Sequence, residues 1–437
     1  MNVDAAPITK APGFFRRSLD IFQRETDRSL APWIIVAALN FTAQIIFRRD
    51  MAPGEFGTLN TALGMIGLMA VPALAMDQAF THYLARNHAA DRREFIDSLR
   101  ASALLVTETF AWAWAAVSLL LVFLLLPLLS LPRFSLHLFT LLNVFIALGG
   151  LVSGTICRNT GRLRLWIGLL IAAAAARVLL GAGLAAPEPW AESGLAAFLL
   201  AGFITLGPAF RQPAVESALR LKALRTVLDR DFLLVLGGTF SVALALFLFS
   251  SADRIVAQSW FGSATNNNFG YVDWSAFDAY QTAGLLGRAL LWGTQPLLLV
   301  LFAQRARLDR TTPASLTFFW IYLGALFLGA TLLILLRQPL SSLFCGRDFS
   351  ATALLVPIFS LAMVPLGLLQ ALGVFALASR RYHECFVLGG CGVGYTLLLY
   401  LAGRQPQLMP AYMFGGGLVA LMIVLFVGVV RWGRKQP

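Results

Sequence analysis

Charged residues are scarce in this chain of 437 residues, and their scarcity excludes a soluble globular protein. Only 13% of the residues are Asp, Glu, Lys or Arg, whereas 58% are hydrophobic. Soluble domains contain about 25% charged residues, so the solvent for most of this chain is lipid. Lysine is rarer still: Lys10, Lys222 and Lys435 are the only lysines, and nearly all of the positive charge is therefore arginine.

Cysteine is scarce as well, and the motifs of the common enzyme classes are missing. The four cysteines, at 157, 345, 385 and 391, form no CxxC pair and no Cys/His ligand spacing, which predicts neither a disulfide framework nor a metal site. There is no GxxxxGK(S/T) loop, no HExxH and no nucleophile elbow. We therefore expect no enzyme activity and no bound cofactor. The net charge of +12 is explained by cytoplasmic loops and anionic lipids rather than by nucleic acid.

What the chain does contain is long apolar runs. A membrane-spanning helix needs about 20 mostly apolar residues, and the sequence offers twelve candidates, near 29–47, 58–84, 101–126, 134–156, 163–185, 193–210, 232–250, 272–303, 315–336, 352–378, 384–402 and 409–430. Of the 34 Lys and Arg residues, 25 lie in the segments assigned to the cytoplasm, 7 in the outer connections and 2 within spans. Because cytoplasmic loops carry the excess of Lys and Arg, both ends are predicted to be cytoplasmic.

The basic segments also predict how the chain is divided. We expect a basic amphipathic N-terminus (1–28), a lobe of spans one to six (29–210), a cytoplasmic linker (211–231), a lobe of spans seven to twelve (232–430) and a basic tail (431–437). A short repeat supports two related lobes, since EFGTLN at 55–60 enters span two and NFGYVD at 268–273 enters span eight. The two copies share one orientation, which indicates a parallel duplication.

One polar stripe crosses the eighth span. Arg288 lies near its middle, and Gln281 and Gln295 lie seven residues to either side, on nearly the same helical face. Charges within spans are costly and mark candidate functional positions. Two interpretations are open: the stripe lines a cavity in which Arg288 binds a pyrophosphate, or Arg288 is a buried arginine paired with a carboxylate or capped by carbonyl groups.

Further polar residues lie in spans one and five. Asn40, Gln44 and Arg48 recur at four-residue spacing in span one and are expected to line the other side of the same cavity, unless they form hydrogen bonds between helices. Arg177 lies nearer the outer end of span five. It either extends outward to the membrane surface or points into the cavity.

Two carboxylates lie at similar depth in spans two and three. Asp77 and Glu108 are each about seven residues from the cytoplasmic end of their span. One of them could titrate and couple transport to an ion. Alternatively, they pair with each other or with nearby arginines, because structural ion pairs also perturb pKa values.

Three stretches of the chain contain short motifs at the ends of predicted spans. They are 51–57 (MAPGEFG), Asp253-Arg254 with Phe261-Gly262 and Phe269-Gly270-Tyr271, and 343–349 (LFCGRDF) with Pro357, Pro365-Leu366-Gly367 and Ala378-Ser379-Arg380. These stretches resemble one family of membrane transporters, the polysaccharide and lipid-linked oligosaccharide flippases of the multidrug/oligosaccharidyl-lipid/polysaccharide exporter superfamily. The first two are similar to the outer turns of that family's two halves, and the third is similar to its spans nine to eleven.

The resemblance implies an all-α integral membrane protein with about 12 transmembrane helices in two six-helix lobes around a central cavity. It implies alternating access in a bacterial inner membrane, with an undecaprenyl-pyrophosphate-linked oligosaccharide or polysaccharide as substrate and other glycan-assembly membrane proteins as partners. The drug-exporting branch usually has an acidic residue in its first helix, where this chain has Asn40 and Gln44. That departure argues against proton- or sodium-coupled drug export.

Two other functions are compatible with twelve spans. A polytopic glycosyltransferase or glycan polymerase would need catalytic carboxylates in a sizeable outer loop, and the outer loops here are short. An unrelated small-molecule secondary transporter would share the number of spans and differ in how its helices are arranged.

Overall fold

The computed structural model describes residues 32–87, 133–159, 162–208, 230–263, 274–307, 313–346, 349–402 and 408–433. These residues form twelve α-helices, and a 3-10 helix at Phe203–Leu206 extends the fifth. The helices are α1 (32–50), α2 (Glu55–Asn87), α3 (Phe134–Asn159), α4 (Leu163–Ala185), α5 (Ala191–Gly202), α6 (Arg230–Ser263), α7 (Trp274–Arg307), α8 (Pro313–Leu335), α9 (Arg337–Cys345), α10 (Ser350–Ala378), α11 (Tyr382–Ala402) and α12 (Met409–Gly433).

The chain is an all-α integral membrane protein, as the apolar runs predicted. Eleven of the twelve predicted spans coincide with a described helix, and the third span, the N-terminal segment 1–28 and most of the linker 211–231 lie outside the described residues. Seven of the described helices are long and apolar enough to cross a membrane, and α8 with α9 forms an eighth candidate. Helices suit this solvent because lipid offers no partners for the backbone polar groups.

Three element boundaries differ from the prediction. Helix α6 continues to Ser263, so Asp253 and Arg254 lie inside a helix and not in an outer loop that begins at residue 251. Helix α5 ends at Gly202, short of the predicted residue 210. Helix α9 was not predicted, and it turns by 70° from α8.

The described helices pack mainly within two groups, which we call the N-terminal bundle (α1–α5) and the C-terminal bundle (α6–α12). Small residues bring neighbouring helices close together, as is usual in membranes. A Cβ added at Gly392 of α11 would lie 2.9 Å from the Cα of Ala245 on α6, so the two backbones nearly touch. Outward faces carry exposed apolar side chains, among them Val419, Met422 and Phe426 of α12.

The two bundles meet chiefly where α2 packs against α6 and α7. We call the end of the molecule that carries the turn between α1 and α2 the outer end, because the charge distribution predicts that this turn is not cytoplasmic. The connection between α4 and α5 lies at the same end, since the backbone N–H of Ala52 donates to the carbonyl of Pro189 at 2.9 Å.

Candidate functional site

A carboxylate of the C-terminal bundle holds the N-terminus of α2 at the outer end. Asp278 of α7 accepts the backbone N–H of Gly54 through Oδ2 and that of Gly57 through Oδ1, both at 2.8 Å and both buried. The first N–H groups of a helix have no partner within the helix, and the helix dipole favours a negative charge there. Asp278 is therefore an N-terminal cap for α2 that comes from the other bundle.

Helix α1 adds two arginines to this contact. Arg48 Nη1 lies 3.7 Å from Oδ2 of Asp278, and its Nε donates to the hydroxyl of Thr282 at 3.1 Å. The neighbouring Arg49 donates through Nε to the backbone carbonyl of Leu343 in α9 at 2.9 Å. We call the contacts of Asp278 with Gly54, Gly57 and Arg48 the outer latch.

The two bundles can approach closely at the outer latch because residue 57 is a glycine and has no side chain. Gly57 faces the ring of Phe277, which lies beside Asp278 on α7, and a Cβ at position 57 would overlap that ring. Phe277 is fully buried at this contact. The positive φ of Gly54, 87°, is a second backbone requirement for glycine in the same turn.

We expect Gly57→Ala to weaken the closed outer end, because its methyl group and the ring of Phe277 cannot occupy the same space. Overpacking of this kind costs about 1–3 kcal/mol, which changes the ratio of closed to open molecules by roughly 5- to 150-fold. The measurement is labelling of a single cysteine introduced at Thr58, which is buried in the closed state. Adding Phe277→Ala should restore slow labelling, and an unchanged labelling rate in Gly57→Ala alone would contradict the steric argument.

Below the latch, α2 lies along α6. Thr61 donates through Oγ1 to the carbonyl of Arg254 at 3.4 Å, and a Cβ at Gly67 would lie 2.7 Å from the ring of Phe247. Val71 and Ala75 of α2 form a small apolar cluster with Ala243. Nearer the other end, the described side chains Leu74, Gln78, Phe240, Trp292 and Gln295 are exposed. The described contacts between the bundles therefore extend from the outer latch to Ala75, past the middle of α2.

A group of buried charges lies next to this interface. Both terminal nitrogens of Arg288 lie 3.4 Å from Oδ2 of Asp253, which also accepts the hydroxyl of Tyr280 at 3.2 Å. Arg288 and Asp253 are 0% exposed. We call Asp253, Arg254 and Arg288 the charge cluster; it holds two guanidinium groups and one carboxylate.

Arg254 is the arginine of the cluster that faces the other bundle. Its Nη2 donates to Ser251 at 2.8 Å, and its buried Nε has no hydrogen-bond partner among the described residues. The Cβ position of Gly64 in α2 is 4.0 Å from that Nε. A buried donor without a partner normally costs about 1–3 kcal/mol, so this guanidinium is available to an added acceptor.

The three residues of the polar stripe predicted on span eight lie in different environments. Arg288 was expected to look onto a cavity or to pair with a carboxylate, and the structure has it paired with Asp253 in a sealed contact. Gln281 is buried, and its side-chain amide has no hydrogen-bond partner among the described residues. Gln295 is exposed. In this conformation Arg288 faces Asp253, which the sequence placed in a loop, so of the two interpretations the structure has the carboxylate-paired one.

The polar residues of α1 take part in separate contacts within and between the bundles. Asn40 accepts Arg177 Nη1 at 2.9 Å, and Gln44 is buried with its Oε1 unpartnered among the described residues, whereas Arg48 belongs to the outer latch. Arg177 also stacks over the ring of Phe198, 5.0 Å from its centroid. Arg177 is therefore held to α1 and α5, and among the described residues it has no carboxylate partner.

The structure describes only one of the two carboxylates considered for ion coupling. Asp77 is buried in α2, 2% exposed, and Glu108 lies outside the described residues. No group of three or more His, Cys, Asp or Glu able to hold a metal occurs in the part of the chain that the structure describes.

Sequence reasoning missed Asp253, Arg254 and Asp278. A signal for Asp278 was present, because it precedes Gln281 by three residues and so continues the polar stripe by one turn toward the outer end. Asp253 could have been found from the need of a mid-span arginine for a counter-charge. The apolar residues after Arg254, including Ile255 and Val256, also indicate that the helix continues.

No protein-family model and no curated protein sequence matches the chain, but its structure resembles solved membrane transporters. The lipid II flippase MurJ in an inward closed conformation aligns with a TM-score of 0.63 and 13% identity, over 91% of this chain and 87% of that one. A MATE transporter of Vibrio cholerae aligns at 0.62 and 14%, over 94% and 98% of the two chains. A MOP superfamily transporter of Pyrococcus furiosus, whose binding pocket is described as having reverse polarity, aligns at 0.60 and 14%, over 92% and 94%.

These similarities show the fold. The described helices of this chain are arranged as in MOP superfamily transporters, and the fold implied by the sequence resemblance is confirmed. Other matches are a MATE family transporter in an inward-facing and in an outward-facing conformation, so the fold is compatible with both.

Proposed function

We propose that this chain is a transporter that moves a lipid-linked oligosaccharide or polysaccharide of the undecaprenyl-pyrophosphate type across a bacterial inner membrane by alternating access. The observation that carries the proposal is Arg254, a buried and incompletely satisfied guanidinium on the face of α6 that α2 covers. The sugar and the diphosphate would pass between the bundles, while the lipid chain stays in the bilayer.

Alternating access is supported by the kind of contact that closes the outer end. The outer latch consists of two hydrogen bonds and one ion pair around Asp278, and few groups must separate to release it. The polar contacts of the latch can be exchanged for water when the bundles part, and the apolar contact of Val71 and Ala75 with Ala243 lies below them. Since the outer end is closed and the side chains of Gln78 and Gln295 nearer the other end are exposed, we assign this conformation to a state that opens inward.

An anionic cargo is supported by the charge cluster. With Arg254 and Arg288 opposite the single carboxylate of Asp253, the cluster carries an excess of positive charge. Arg177, away from the cluster on α4, is a further guanidinium without a carboxylate partner among the described residues. At an effective dielectric of about 20, two unit charges 4 Å apart attract by about 4 kcal/mol, so a diphosphate would bind such a surface strongly.

Arg254 replaces Arg288 as the proposed headgroup ligand. It lies beside Thr61, six residues below the start of α2, which corresponds to a depth of about 9 Å. When the outer ends separate, α2 leaves α6 and uncovers Arg254 from the outer side. Guanidinium groups bind phosphate through two parallel hydrogen bonds, and Arg254 has an unused donor for this purpose.

Arg254→Ala should slow transport by about tenfold or more, equivalent to about 1.4 kcal/mol, without loss of folded protein. The protein folds because the substitution removes the surplus cation and leaves the Arg288–Asp253 pair intact. The measurement is the rate at which purified protein in liposomes moves a fluorescent undecaprenyl-pyrophosphate-linked oligosaccharide. The transport rate of Arg254→Lys should lie between those of the wild type and Arg254→Ala, because lysine keeps the charge and loses the planar guanidinium group.

The matched control is Arg164→Ala, which removes an exposed arginine at the start of α4. It should move the labelled glycan at the wild-type rate. A wild-type rate in Arg254→Ala would overturn the assignment of Arg254, and liposomes in which the wild-type protein moves no glycan lipid would overturn the proposed function.

A further inference from the structure

Two buried glutamines lie between the outer latch and the charge cluster. Gln281 of α7 is 0% exposed, and neither the oxygen nor the nitrogen of its amide has a hydrogen-bond partner among the described residues. Gln258 of α6 is 1% exposed, and its Oε1 has no partner among them either. Buried polar groups are normally hydrogen-bonded, so two such amides beside one interface are unusual.

Gln258 lies on the face of α6 that α2 covers. It follows Arg254 by four residues and Phe247 by eleven, so the three side chains share one helical face. The ring of Phe247 lies against Gly67 of α2, and Nε of Arg254 lies against Gly64. Four residues of a helix correspond to about 6 Å, so Gln258 lies about that far from Arg254 toward the outer end.

Gln281 lies at a similar depth on α7. It follows the carboxylate of the outer latch by three residues, which places it one turn below the cap of α2. Asp253 of α6 contacts both Tyr280 and Arg288 of α7, and these contacts set the register of two helices that run in opposite directions. In that register Gln258 is level with the turn of α7 that contains Gln281.

We infer that Gln258 and Gln281 bind the sugar that is attached directly to the diphosphate, an inference that rests on the proposed function. With the diphosphate on Arg254, the next group of the substrate lies about one turn nearer the outer end, where the two amides are. An amide both donates and accepts hydrogen bonds, as sugar hydroxyls do. When α2 leaves α6, the hydroxyls supply the partners that the amides lack in the closed state.

The closed conformation gains no stability from these two amides. Leucine is close to glutamine in size and would fill the same space without burying polar atoms that lack partners. A role confined to packing would therefore favour leucine at both positions. The amides instead serve the conformation in which α2 has moved away and a polar ligand can reach them.

The test is equilibrium binding of two kinds of lipid to the purified protein in nanodiscs. One is undecaprenyl pyrophosphate without a sugar, and the other is undecaprenyl pyrophosphate linked to N-acetylglucosamine, glucose or galactose. Wild-type protein should bind at least one sugar-linked lipid about tenfold more tightly than the sugar-free lipid. The double variant Gln258→Leu/Gln281→Leu should bind the two kinds about equally, because leucine offers no partner to a hydroxyl. The variant should fold, since leucine favours a helix as well as glutamine does.

The ratio of the two dissociation constants separates sugar recognition from a structural effect. If leucine only stabilises the closed outer end, both kinds of lipid bind more weakly by the same factor, and the unchanged ratio would overturn the inference. So would wild-type protein that binds no sugar-linked lipid more tightly than the sugar-free lipid. The matched control is Gln338→Leu, which replaces an exposed glutamine of α9 and should keep the wild-type ratio.

Transport in liposomes distinguishes failure of the sugar site from failure of the proposed function. If the wild type prefers a sugar-linked lipid and the double variant does not, but wild-type protein moves no glycan lipid, the sugar site stands and the transport proposal falls. If glycan lipid is moved and the double variant keeps the wild-type ratio, the sugar site falls and the transport proposal stands.

Discussion

Asp278→Ala should leave the protein folded, hold its outer end open and stop transport. The substitution removes the acceptor of two buried N–H groups, those of Gly54 and Gly57, and leaves Arg48 without its carboxylate. Hydrogen bonds to a charged group contribute about 1.5–3 kcal/mol each, so the ratio of closed to open molecules falls by at least about a hundredfold. Folding is preserved because, once the outer end opens, water replaces the lost partner.

Transport of fluorescent glycan lipid in liposomes is the measurement for this variant. A carrier that cannot close its outer end cannot return to the inward-opening state, and we expect transport at the background rate. Asp278→Asn retains one carbonyl acceptor and should give an intermediate rate. Asp50→Ala removes an exposed carboxylate at the same end and serves as the control. Full transport by Asp278→Ala would show that the outer latch does not control the cycle.

Asp253→Ala should be the most destabilising single substitution in the charge cluster. It leaves Arg254 and Arg288 buried together without a carboxylate, and breaking a buried pair in this way costs about 3–5 kcal/mol. Arg288→Ala should cost less, because Asp253 keeps the hydroxyl of Tyr280 and the nearby charge of Arg254. Arg254→Ala should cost least, since the pair survives.

Thermal unfolding of the purified variants in detergent measures this order directly. The double variant Asp253→Ala/Arg288→Met should recover most of the stability that Asp253→Ala loses, because it removes the pair together and fills the space with an apolar side chain. The unfolding temperature should therefore be highest for Arg254→Ala, lower for Arg288→Ala and lowest for Asp253→Ala. A double variant no more stable than Asp253→Ala would show that unpaired charge is not the cause.

The helices could be predicted from the sequence because each span is a local property. About 20 apolar residues in a row are sufficient for a span, and the distribution of arginine sets the predicted orientation. The end of α6 could not be predicted this way. Asp253 and Arg254 interrupt the apolar run, and hydropathy along one segment does not register that Arg288 on another helix offsets the charge of Asp253.

Local patterns in the sequence likewise indicate part of the candidate site, whereas contacts between helices do not follow from them. The stripe through Arg288 marked α7 as a polar helix, and the sequence left open the carboxylate pairing that the structure shows. Which carboxylate pairs with Arg288 depends on the packing of α6 against α7, which no spacing along the chain encodes. The capping of α2 by Asp278 is a contact between bundles, so it too required the structure.

The distance between the outer ends of the two bundles tests the central claim most directly. Spin labels can be placed at Trp190, between α4 and α5, and at Leu408, at the start of α12, since both are exposed. The four native cysteines would be replaced by alanine. We predict a short distance in the unmodified protein, a second and longer distance when undecaprenyl-pyrophosphate-linked glycan is added, and the longer distance alone in Asp278→Ala. One unchanged distance in all three samples would contradict the account.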